Sequence, residues 1–388
     1  MEHVKILLVG IGGYGSNYIK ELTEKNVSGV QIEGICEVME GMDELYPEIT
    51  ARQIPVYTTL EAFYREHQAD LAVISTPIHL HYAQTEICLK SGSHVLIEKP
   101  VCTSVEGAKK LLELEKETGH FIAVGYQLNY SRDVLALKQD ILDGVFGKPI
   151  YMKALHAMKR GMAYYHRNNW AGRIRVNGCA VNDSPFNNAC AHQFQNMTFL
   201  LGSKMGKATE LIDVQAELYR ANPNVENFDT AAVRAQTEAG TPLWYFTSHA
   251  LKEKSLGPIC EYRFEKATIW FGKDFGQGEI KEYVAEFDDG TRKNYGEIPK
   301  GERLQKLYDA IEAVRNVNHP VCTVQCAIPH LEAVNQMAKM PIHPVKQKMV
   351  RRIQENGDEF YQILNLKEVF ETSYQTQRFP SEVEAGWV

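Results

Sequence analysis

No apolar run in this 388-residue sequence approaches the length of a membrane-spanning helix, and no dense cluster of Lys and Arg stands out from the chain. Asp and Glu number 49 against 42 Lys and Arg, so the formal net charge is -7. A negatively charged chain is repelled on average by nucleic acid, which is a polyanion. Neither a nucleic-acid partner nor a membrane partner is therefore expected.

A signal peptide is also not expected from the first residues of the sequence. The apolar residues 4–9 lead directly into glycines, which predicts a buried strand. The eight cysteines are scattered and include no Cys-x-x-Cys pair; Cys322 and Cys326 could share a helix face, but two thiols are a weak metal signal. We expect no metal site, and we expect free thiols in the reducing cytoplasm.

The length of the chain fits two domains. Residues 1–125 alternate short apolar runs with helical patterns, which predicts an α/β domain with a doubly wound parallel sheet of the Rossmann type. The predicted strands are 4–9, 31–36, 71–75, 95–97 and 121–125, and the predicted helices are 16–24, 78–90 and 104–118. Sheets of this type bind their ligands at the carboxyl ends of the strands.

Residues 126–388 are expected to form an α+β domain with a mainly antiparallel sheet and a helical carboxy-terminal tail. The predicted strands are 150–156, 213–220, 231–238, 243–248, 261–270 and 280–287. The predicted helices are 132–143, 186–201, 302–316, 329–340 and, in the tail, 346–355 and 359–366. Residues 159–178 are rich in aromatics, Arg and Gly and are expected to be a loop.

A glycine motif, Gly10-Ile11-Gly12-Gly13-Tyr14-Gly15, directly follows the first strand and precedes a helix. In this context the first glycine allows a tight turn, the second lets a pyrophosphate approach the backbone, and the third lets the helix pack on the strand. Glu37, at the end of the second strand, can accept both ribose hydroxyls. The alternative is a structural turn beside a surface carboxylate.

Three further polar groups follow strands or lie on a predicted helix. Ser75-Thr76-Pro77 ends one strand and precedes His79 and His81, which are more often packing or capping residues than catalysts. Glu98-Lys99-Pro100 ends another strand, and Lys99 either points into the ligand crevice or is solvated. Asn188 and His192 are four residues apart on an apolar predicted helix, where spacing alone favours a core His.

Taken together, these motifs resemble the Gfo/Idh/MocA family, named for glucose–fructose oxidoreductase, inositol dehydrogenase and rhizopine catabolism. The matching elements are Gly10-x-Gly12-x-x-Gly15, Ser75-Thr76-Pro77-x-His79-x-His81, Ser91-Gly92-Ser93-His94-Val95-x-x-Glu98-Lys99-Pro100, Gly125-Tyr126, the helix with His192, and residues 309–313 with Pro320. The resemblance covers about residues 1–340.

The resemblance implies a Rossmann domain followed by an α+β domain whose open-faced sheet forms an oligomer interface, here of a homodimer or homotetramer. It implies an oxidoreductase that uses NAD or NADP on sugars, polyols or their acids. In the family pattern the lysine of Glu-Lys-Pro and a helix His act on the substrate hydroxyl, which assigns these roles to Lys99 and His192. Asn188 is expected to orient His192.

The expected cofactor contacts are Gly10, Gly12, Gly13, Tyr14, Gly15, Glu37, Ser75, Thr76, Pro77, His81, Glu98 and Lys99. The expected substrate contacts are Lys99, Tyr126, Gln127, Tyr165, Trp170, Asp183, Asn188 and His192. NAD is the expected cofactor, because Glu37 repels a 2′-phosphate, and NADP is the alternative.

The chain departs from the family pattern beside the histidine. Asn188 stands where the family often has Asp, and Gln195 stands where Asp or Asn is frequent. An Asn cannot stabilise an imidazolium as a carboxylate does, although Asp183 could take over part of that role. Asn188→Asp is expected to be tolerated and to raise the pKa of His192.

A hydride transfer at a secondary hydroxyl of a sugar, polyol or sugar acid is the leading functional hypothesis. One alternative is an NAD-assisted lyase or glycosidase that oxidises the sugar transiently and returns the hydride. Another is a sensor of sugars or dinucleotides on the same fold. The Arg and aromatic residues of 159–178 suit a hydroxylated ring that bears a carboxylate, and a solvated basic loop is the alternative.

The expected oligomer interface is the sheet of residues 211–298. The observation is that large residues occur on both faces of its strands, more than one buried face of a small sheet would take. They are Tyr219, Trp244, Phe246, Tyr262, Phe264, Trp270 and Phe271.

Overall fold

The computed structural model describes residues 3–25, 27–274, 278–279, 281–297 and 302–388. Residue 280, the first of the predicted strand 280–287, lies outside these ranges. The chain forms two compact units, Met1–Tyr130 with Lys300–Ile328 and Ser131–Pro299 with Pro329–Val388. This division differs from the expected boundary between residues 125 and 126, chiefly because a late helix folds with the first unit.

The first stretch of the chain contains, in order, β1 (Val4–Val9), α1 (Ser16–Glu24), β2 (Val30–Cys36), α2 (Met42–Leu45), α3 (Pro47–Ala51), β3 (Val56–Tyr57), α4 (Leu60–Glu66), β4 (Leu71–Ile74), α5 (His81–Lys90), β5 (His94–Ile97), α6 (Val105–Thr118) and β6 (Ile122–Val124). Their strands pair in parallel in the order β3-β2-β1-β4-β5-β6. The prediction of a doubly wound Rossmann sheet is confirmed. The strand order reverses between β1 and β4, which is where such sheets bind ligands.

The chain continues with α7 (Arg132–Leu142), β7 (Pro149–Met158), α8 (Met162–His166), β8 (Arg175–Val176), β9 (Cys179–Ala180), α9 (Ala191–Leu200), β10 (Leu211–Arg220), β11 (Thr230–Thr237), β12 (Pro242–Ser248), β13 (Ser255–Phe264), β14 (Ala267–Phe271), β15 (Glu282–Phe287) and β16 (Arg292–Glu297). The last elements are α10 (Gln305–Asn316), α11 (Val324–Met337), β17 (Ile342–Pro344), β18 (Val350–Glu355), β19 (Asp358–Ile363) and α12 (Leu366–Thr376). Short 3-10 turns lie at Gly13–Gly15, Ile78–Leu80, Gln127–Tyr130, Glu302–Leu304, Gln347–Met349 and Pro380–Val383.

The sheet of the second unit has the order β16-β15-β14-β13-β7-β12-β11-β10-β17. Its pairs are antiparallel except β7 with β12 and β10 with β17. The predicted α+β domain with a mainly antiparallel sheet is therefore confirmed. One predicted strand, 261–270, is two strands, because the chain turns at Glu265 and Lys266 between β13 and β14.

Helix α10 explains why the late segment joins the first unit. Leu304, Leu307, Ile311 and Val314 recur at helical spacing and are buried in the core formed with the strands of the parallel sheet. Apolar residues at this spacing cover one face of a sheet, so the helix completes the Rossmann core.

The tail is not helical where the sequence pattern predicted it to be. Residues 350–363, predicted as parts of the helices 346–355 and 359–366, form an antiparallel hairpin of β18 and β19. Its two-residue turn is Asn356-Gly357, with φ of 54° and 78°. An Asn-Gly pair is a preferred type I′ turn, because both positions need a left-handed backbone. This signal is local and outweighs the helical periodicity.

The tail covers a face of the sheet that was expected to be open. Ile363, Leu366, Phe370 and Trp387 pack in one core cluster with the sheet residues Leu155, Tyr219, Trp244 and Phe246. The large residues that suggested an oligomer interface are thus buried within one chain, except Trp270 and Phe271, which are half-buried. Tyr262 and Phe264 pack against Tyr283 and Phe146. Homo-oligomer formation stays a prediction.

In the described part of the chain, no helix has both the length and the apolar character needed to cross a bilayer.

Replacing Trp387 by Ala should lower the free energy of unfolding of the second unit by about 3–5 kcal/mol, because deletion of a buried ring leaves a cavity. Trp387 is 1% exposed, packs edge-on against Tyr219 with ring centroids 5.0 Å apart, and donates from Nε1 to Asn365 Oδ1 at 2.8 Å. Urea denaturation followed by circular dichroism measures the change. Leu364→Ala is the control, since Leu364 is 54% exposed. Equal effects of the two substitutions would contradict a role of the tail as cover for the sheet.

Candidate functional site

The glycine motif forms the turn between β1 and α1. Gly10 has φ of 79°, and a Cβ there would lie 2.8 Å from Thr76 Cγ2. A Cβ on Gly15 would lie 2.1 Å from the carbonyl oxygen of Gly10, whereas no atom lies within 4 Å of a Cβ on Gly12. The first and third glycines are therefore required by the fold, and the second presents an open backbone surface of the kind that a pyrophosphate approaches.

Glu37 extends from the end of β2 to the same turn. Its Oε2 accepts hydrogen bonds from the amides of Ile11 at 2.8 Å and Gly12 at 3.3 Å, and its Oε1 accepts from Val38 at 2.8 Å and Met39 at 3.1 Å. Four amide donors fix this carboxylate beside the glycine motif. A ribose diol would share or replace some of them, and a 2′-phosphate would meet a fixed negative charge.

The loop after β4 is tied to its neighbours. Ser75 Oγ donates to the Gly10 carbonyl oxygen at 2.7 Å. His81 is 2% exposed, and its Nδ1 and Nε2 lie 2.7 Å and 2.8 Å from the carbonyl oxygens of Pro100 and Thr76. Burial lowers the pKa of His81. This ring therefore links the loops after β4 and β5, and its contact with a cofactor stays a prediction.

Glu98, in the loop after β5, forms a buried ion pair that the sequence did not reveal. Its Oε1 accepts a hydrogen bond from Tyr18 Oη at 2.6 Å and is paired with the ammonium of Lys306. The same ammonium donates to the Gly125 carbonyl oxygen at 3.2 Å and lies 4.6 Å from the ring centroid of Tyr14. The pair joins α1, α10 and the loops after β5 and β6.

Lys306 could have been found only as a charged residue on an otherwise apolar face of α10, since Ala310 and Ala313 follow it at helical spacing. It is 1% exposed. Lys99 follows Glu98, is half-buried, and its amide lies 3.4 Å from Glu98 Oε2. The fixed carboxylate thus positions the backbone from which the Lys99 side chain starts.

The structure brings the predicted residues of the first unit to one edge of the sheet. The glycine motif, Glu37, the loop after β4 and Lys99 follow β1, β2, β4 and β5, and Tyr126 and Gln127 follow β6. Tyr126 is buried, which raises the pKa of its phenol, and Gln127 is half-buried. This edge has the features of a dinucleotide-binding site.

In the second unit, Asp183 organises the segment before α9. Its Oδ2 accepts a hydrogen bond from the Gly172 amide at 2.6 Å, and its Oδ1 accepts one from Asn188 Nδ2 at 2.8 Å. Asn188 lies in turns that precede α9 and not on the predicted helix 186–201, because Pro185 and the side chain of Asn187 hold residues 181–190 in turns. His192 lies in the first turn of α9, half-buried.

The contact between Asp183 and Asn188 explains a departure from the family pattern. An Asp at position 188 would place two carboxylates against each other, which raises the pKa of one of them and costs stability. The amide instead donates to Asp183 and is held in one orientation. This contact weighs against the expectation that Asn188→Asp would be tolerated, which stays a prediction.

Helix α9 is fixed at both ends by buried side chains. Tyr245 Oη donates to the Cys190 carbonyl oxygen just before the helix begins, and Lys138 Nζ donates to the carbonyl oxygens of Phe199 and Lys207 at 2.5 Å and 2.6 Å. The bond from Lys138 to Phe199 stabilises the carboxyl end of the helix, where a cation is favourable. They hold the helix that carries His192.

The loop after β7 differs in detail from the expectation. Tyr165 is buried, and its hydroxyl lies 2.9 Å from His249 Nδ1, so its contact with a substrate stays a prediction. Its neighbour Tyr164 is half-buried and contacts two guanidinium groups, and Trp170 is half-buried as well. Tyr164, which was not among the expected substrate contacts, therefore has the better position for one.

Among the residues that the structure describes, no group of three or more His, Cys, Asp and Glu side chains is arranged to hold a metal ion.

These features of the first unit define a dinucleotide-binding Rossmann domain. Residues 4–126 match the model of a family described as oxidoreductase family, NAD-binding Rossmann fold. This match agrees with the resemblance to the Gfo/Idh/MocA family that the motifs indicated.

Curated relatives match this chain over part of its length. An inositol 2-dehydrogenase/D-chiro-inositol 3-dehydrogenase of Lactiplantibacillus plantarum is 26% identical over 153 residues, 39% of this chain and 43% of the relative. A glycosyl hydrolase family 109 protein of Shewanella pealeana is 26% identical over 178 residues, 44% of this chain and 37% of the relative. The chain thus matches less than half the length of each.

A solved structure shows the same fold over most of the chain. The WlbA dehydrogenase from Bordetella pertussis, in complex with NADH and UDP-GlcNAcA, has a TM-score of 0.69 at 20% identity. The match covers 87% of this chain and 97% of that chain. The Rossmann domain and the sheet domain that follows it are both part of this fold.

Replacing Lys306 by Met should lower the free energy of unfolding by about 3–5 kcal/mol, because it leaves the buried carboxylate of Glu98 without its cation. Adding Glu98→Gln to this variant should restore part of the loss, since the unpaired charge is then gone. Urea denaturation of Lys306→Met, Glu98→Gln and the double variant tests this.

The control is Lys110→Met, which breaks an exposed ion pair with Glu106 of 2.7 Å and should leave the unfolding midpoint nearly unchanged. If the double variant is destabilised by the sum of the two single effects, the ion pair is not the stabilising contact.

Proposed function

We propose that this protein is an NAD-dependent dehydrogenase or reductase that acts on a secondary hydroxyl of a sugar, polyol or sugar acid. The observation that carries the proposal is the position of Lys99, which starts from the sheet edge that holds the glycine motif and Glu37. Membership of residues 4–126 in an NAD-binding oxidoreductase family supports it. The inositol dehydrogenase relative supports the substrate class.

In this proposal the chain contributes a cation and a base. The ammonium of Lys99 donates a hydrogen bond to the reacting oxygen and stabilises its alkoxide character. During oxidation the imidazole of His192 takes the hydroxyl proton, and it returns that proton during reduction. Asp183 and Asn188 hold the segment before His192. The nicotinamide, when bound, accepts or supplies the hydride at the substrate carbon.

Two properties of the whole protein belong to the proposal as well. A homodimer or homotetramer is supported by the family resemblance and by the half-buried Trp270, which lies on a strand outside the tail-covered cluster. A cytoplasmic location is supported by the cysteines, all eight of which are free thiols.

NADH should bind at least ~10-fold more tightly than NADPH, because Glu37 places a carboxylate where a 2′-phosphate would lie. No Lys or Arg occurs between Val38 and Tyr46 to neutralise that phosphate. Fluorescence titration with the two reduced cofactors gives the ratio of Kd values.

Glu37→Gln should narrow this ratio, whereas Glu24→Gln, at the exposed end of α1, should leave it unchanged. Tighter binding of NADPH to the native protein would refute the assignment of Glu37 as the selective residue.

Lys99→Ala and His192→Ala should each lower kcat by about 10²–10⁴-fold, the usual contribution of such groups, while the Kd of NADH changes only a few-fold. NADH formation with a panel of polyols, aldoses and sugar acids identifies the substrate for the measurement. Lys116→Ala and His319→Ala are matched controls, because both side chains are exposed. Near-full activity of His192→Ala would make His192 a packing residue.

A glycosidase or lyase that uses NAD transiently is the second candidate, because several relatives carry the name glycosyl hydrolase family 109 protein and one is an alpha-N-acetylgalactosaminidase. Such an enzyme would retain its cofactor during purification and cleave an aryl glycoside without net NADH formation. The dehydrogenase would form NADH in proportion to product. A sensor would do neither, and an intact pair of Lys99 and His192 speaks against it.

A further inference from the structure

In the described part of the chain, two arginines of the second unit have no acidic partner. Arg160 follows β7, and Arg167 follows α8. Among the described residues, neither guanidinium lies within ion-pair distance of a carboxylate, in contrast to Arg263, Arg292, Arg315 and Arg352. Arg160 is half-buried, where an unpaired charge is costly, whereas Arg167 is exposed.

Both guanidinium groups lie around one phenol ring. The guanidinium carbon of Arg160 is 5.1 Å from the ring centroid of Tyr164, and that of Arg167 is 3.7 Å from it. Arg167 also lies 5.2 Å from the ring of Trp170. A negative charge placed near this ring would be stabilised by both cations.

The guanidinium of Arg160 also has a buried N–H group that donates no hydrogen bond. Its backbone amide donates to the His249 carbonyl oxygen at 3.1 Å, which fixes the start of the side chain. Its Nε is buried and has no acceptor, and its Nη2 has only the sulfur of Met158 at 3.6 Å. A buried N–H without an acceptor favours a ligand that supplies one.

Two imidazoles complete the cluster. His249 is 3% exposed, and its Nε2 is buried with no hydrogen-bond partner; the same holds for Nδ1 of His156. Burial and the nearby Arg160 lower the pKa of His156 to about 4 and that of His249 well below its usual value. Both rings are therefore neutral at pH 7, and the positive charge belongs to the arginines.

The segment before α9 contains one carboxylate, that of Asp183. Asp183 acts electrostatically on Tyr164, but its two oxygens accept from Gly172 and Asn188. Cys190, two residues before His192, is also close enough to act on Tyr164. Tyr164, the ring that both arginines contact, therefore lies within electrostatic range of the residue just before α9, the helix that carries the proposed base.

We propose that Arg160 and Arg167, with Tyr164 and His249, form a binding site for an acidic substituent of the substrate, a carboxylate or a phosphate. A guanidinium matches either group with two parallel hydrogen bonds, and Tyr164 and Trp170 offer aromatic surface to a sugar ring. The inference rests on the proposed function for the identity of the ligand as a substrate. It restricts the substrate class to acidic sugar derivatives.

The loop is fixed in advance for this role by the tail hairpin. Lys159, next to Arg160, is ion-paired with Glu355, and the Ala163 amide donates to Asp358 Oδ1 at 2.8 Å. A Cβ on Gly161 would overlap the carboxylate of Asp358, at 2.1 Å from Oδ2. A loop held on both sides loses little entropy when a ligand binds.

Calorimetric titration of the NAD-loaded protein tests the site without requiring turnover. The probes are uronic and aldonic acids, sugar phosphates and their neutral parent sugars. At least one acidic sugar should bind about 10- to 100-fold more tightly than its neutral parent, and the acid that does so distinguishes carboxylate from phosphate. Arg160→Gln and Arg167→Gln should each remove most of this difference and leave the neutral sugar unaffected.

Arg173→Gln is the matched control, because Arg173 is an exposed arginine of the same loop. Circular dichroism shows whether each variant is folded. If Arg160→Gln does not fold, the binding of acidic sugars to Arg167→Gln still tests the site, because Arg167 is exposed. The inference is overturned if no acidic sugar binds more tightly than its neutral parent, or if Arg173→Gln has the same effect as the other two. A preference for acids without any NADH formation would support this site while refuting the proposed dehydrogenase activity.

Discussion

The buried pair of Glu98 and Lys306 is the contact on which the cofactor edge depends. Two charges removed from water are costly unless each is compensated by close partners. Here the carboxylate has the ammonium and the Tyr18 hydroxyl, and the ammonium has the Gly125 carbonyl oxygen as well. Because these partners come from separate elements, the pair holds the loops after β5 and β6 in one arrangement.

That arrangement gives Lys99 its place. The residue directly follows the fixed carboxylate, so its backbone is positioned although its side chain is only half-buried. A lysine that must reach a reacting oxygen benefits from a rigid starting point, because catalysis depends on geometry held before the reaction begins. The pair thus connects the stability of the Rossmann core with the chemistry proposed for its edge.

Much of the first unit could be predicted because its features are local. The glycine motif, Glu37 and Lys99 are each defined by their spacing from the end of a strand. Lys306 lies 208 residues after its partner, and no local pattern connects two such positions. The hairpin at Asn356-Gly357 is a different case, since a local turn signal was present and the helical periodicity obscured it.

The second unit shows why composition can mislead. Tyr219, Trp244 and Phe246 suggested a face that another copy of the chain would cover, and residues 363–387 cover it instead. The same ambiguity applied to Asn188: spacing placed it on a helix beside His192, whereas its side-chain amide donates a hydrogen bond to Asp183. The sheet face is covered by a distant segment, and the partner of Asn188 lies five residues before it in turns, so helical periodicity predicts neither contact.

The tail hairpin contacts the arginine loop directly, through Glu355 and Asp358. Any exchange of substrate preference between members of this fold by grafting the loop would therefore need to carry two separate pieces of sequence. A chimaera that received residues 159–170 without residues 350–363 would gain the arginines and lose their anchors. In this chain, recognition is a property of a discontinuous module, and a sequence change near the carboxyl end can alter it without touching a ligand.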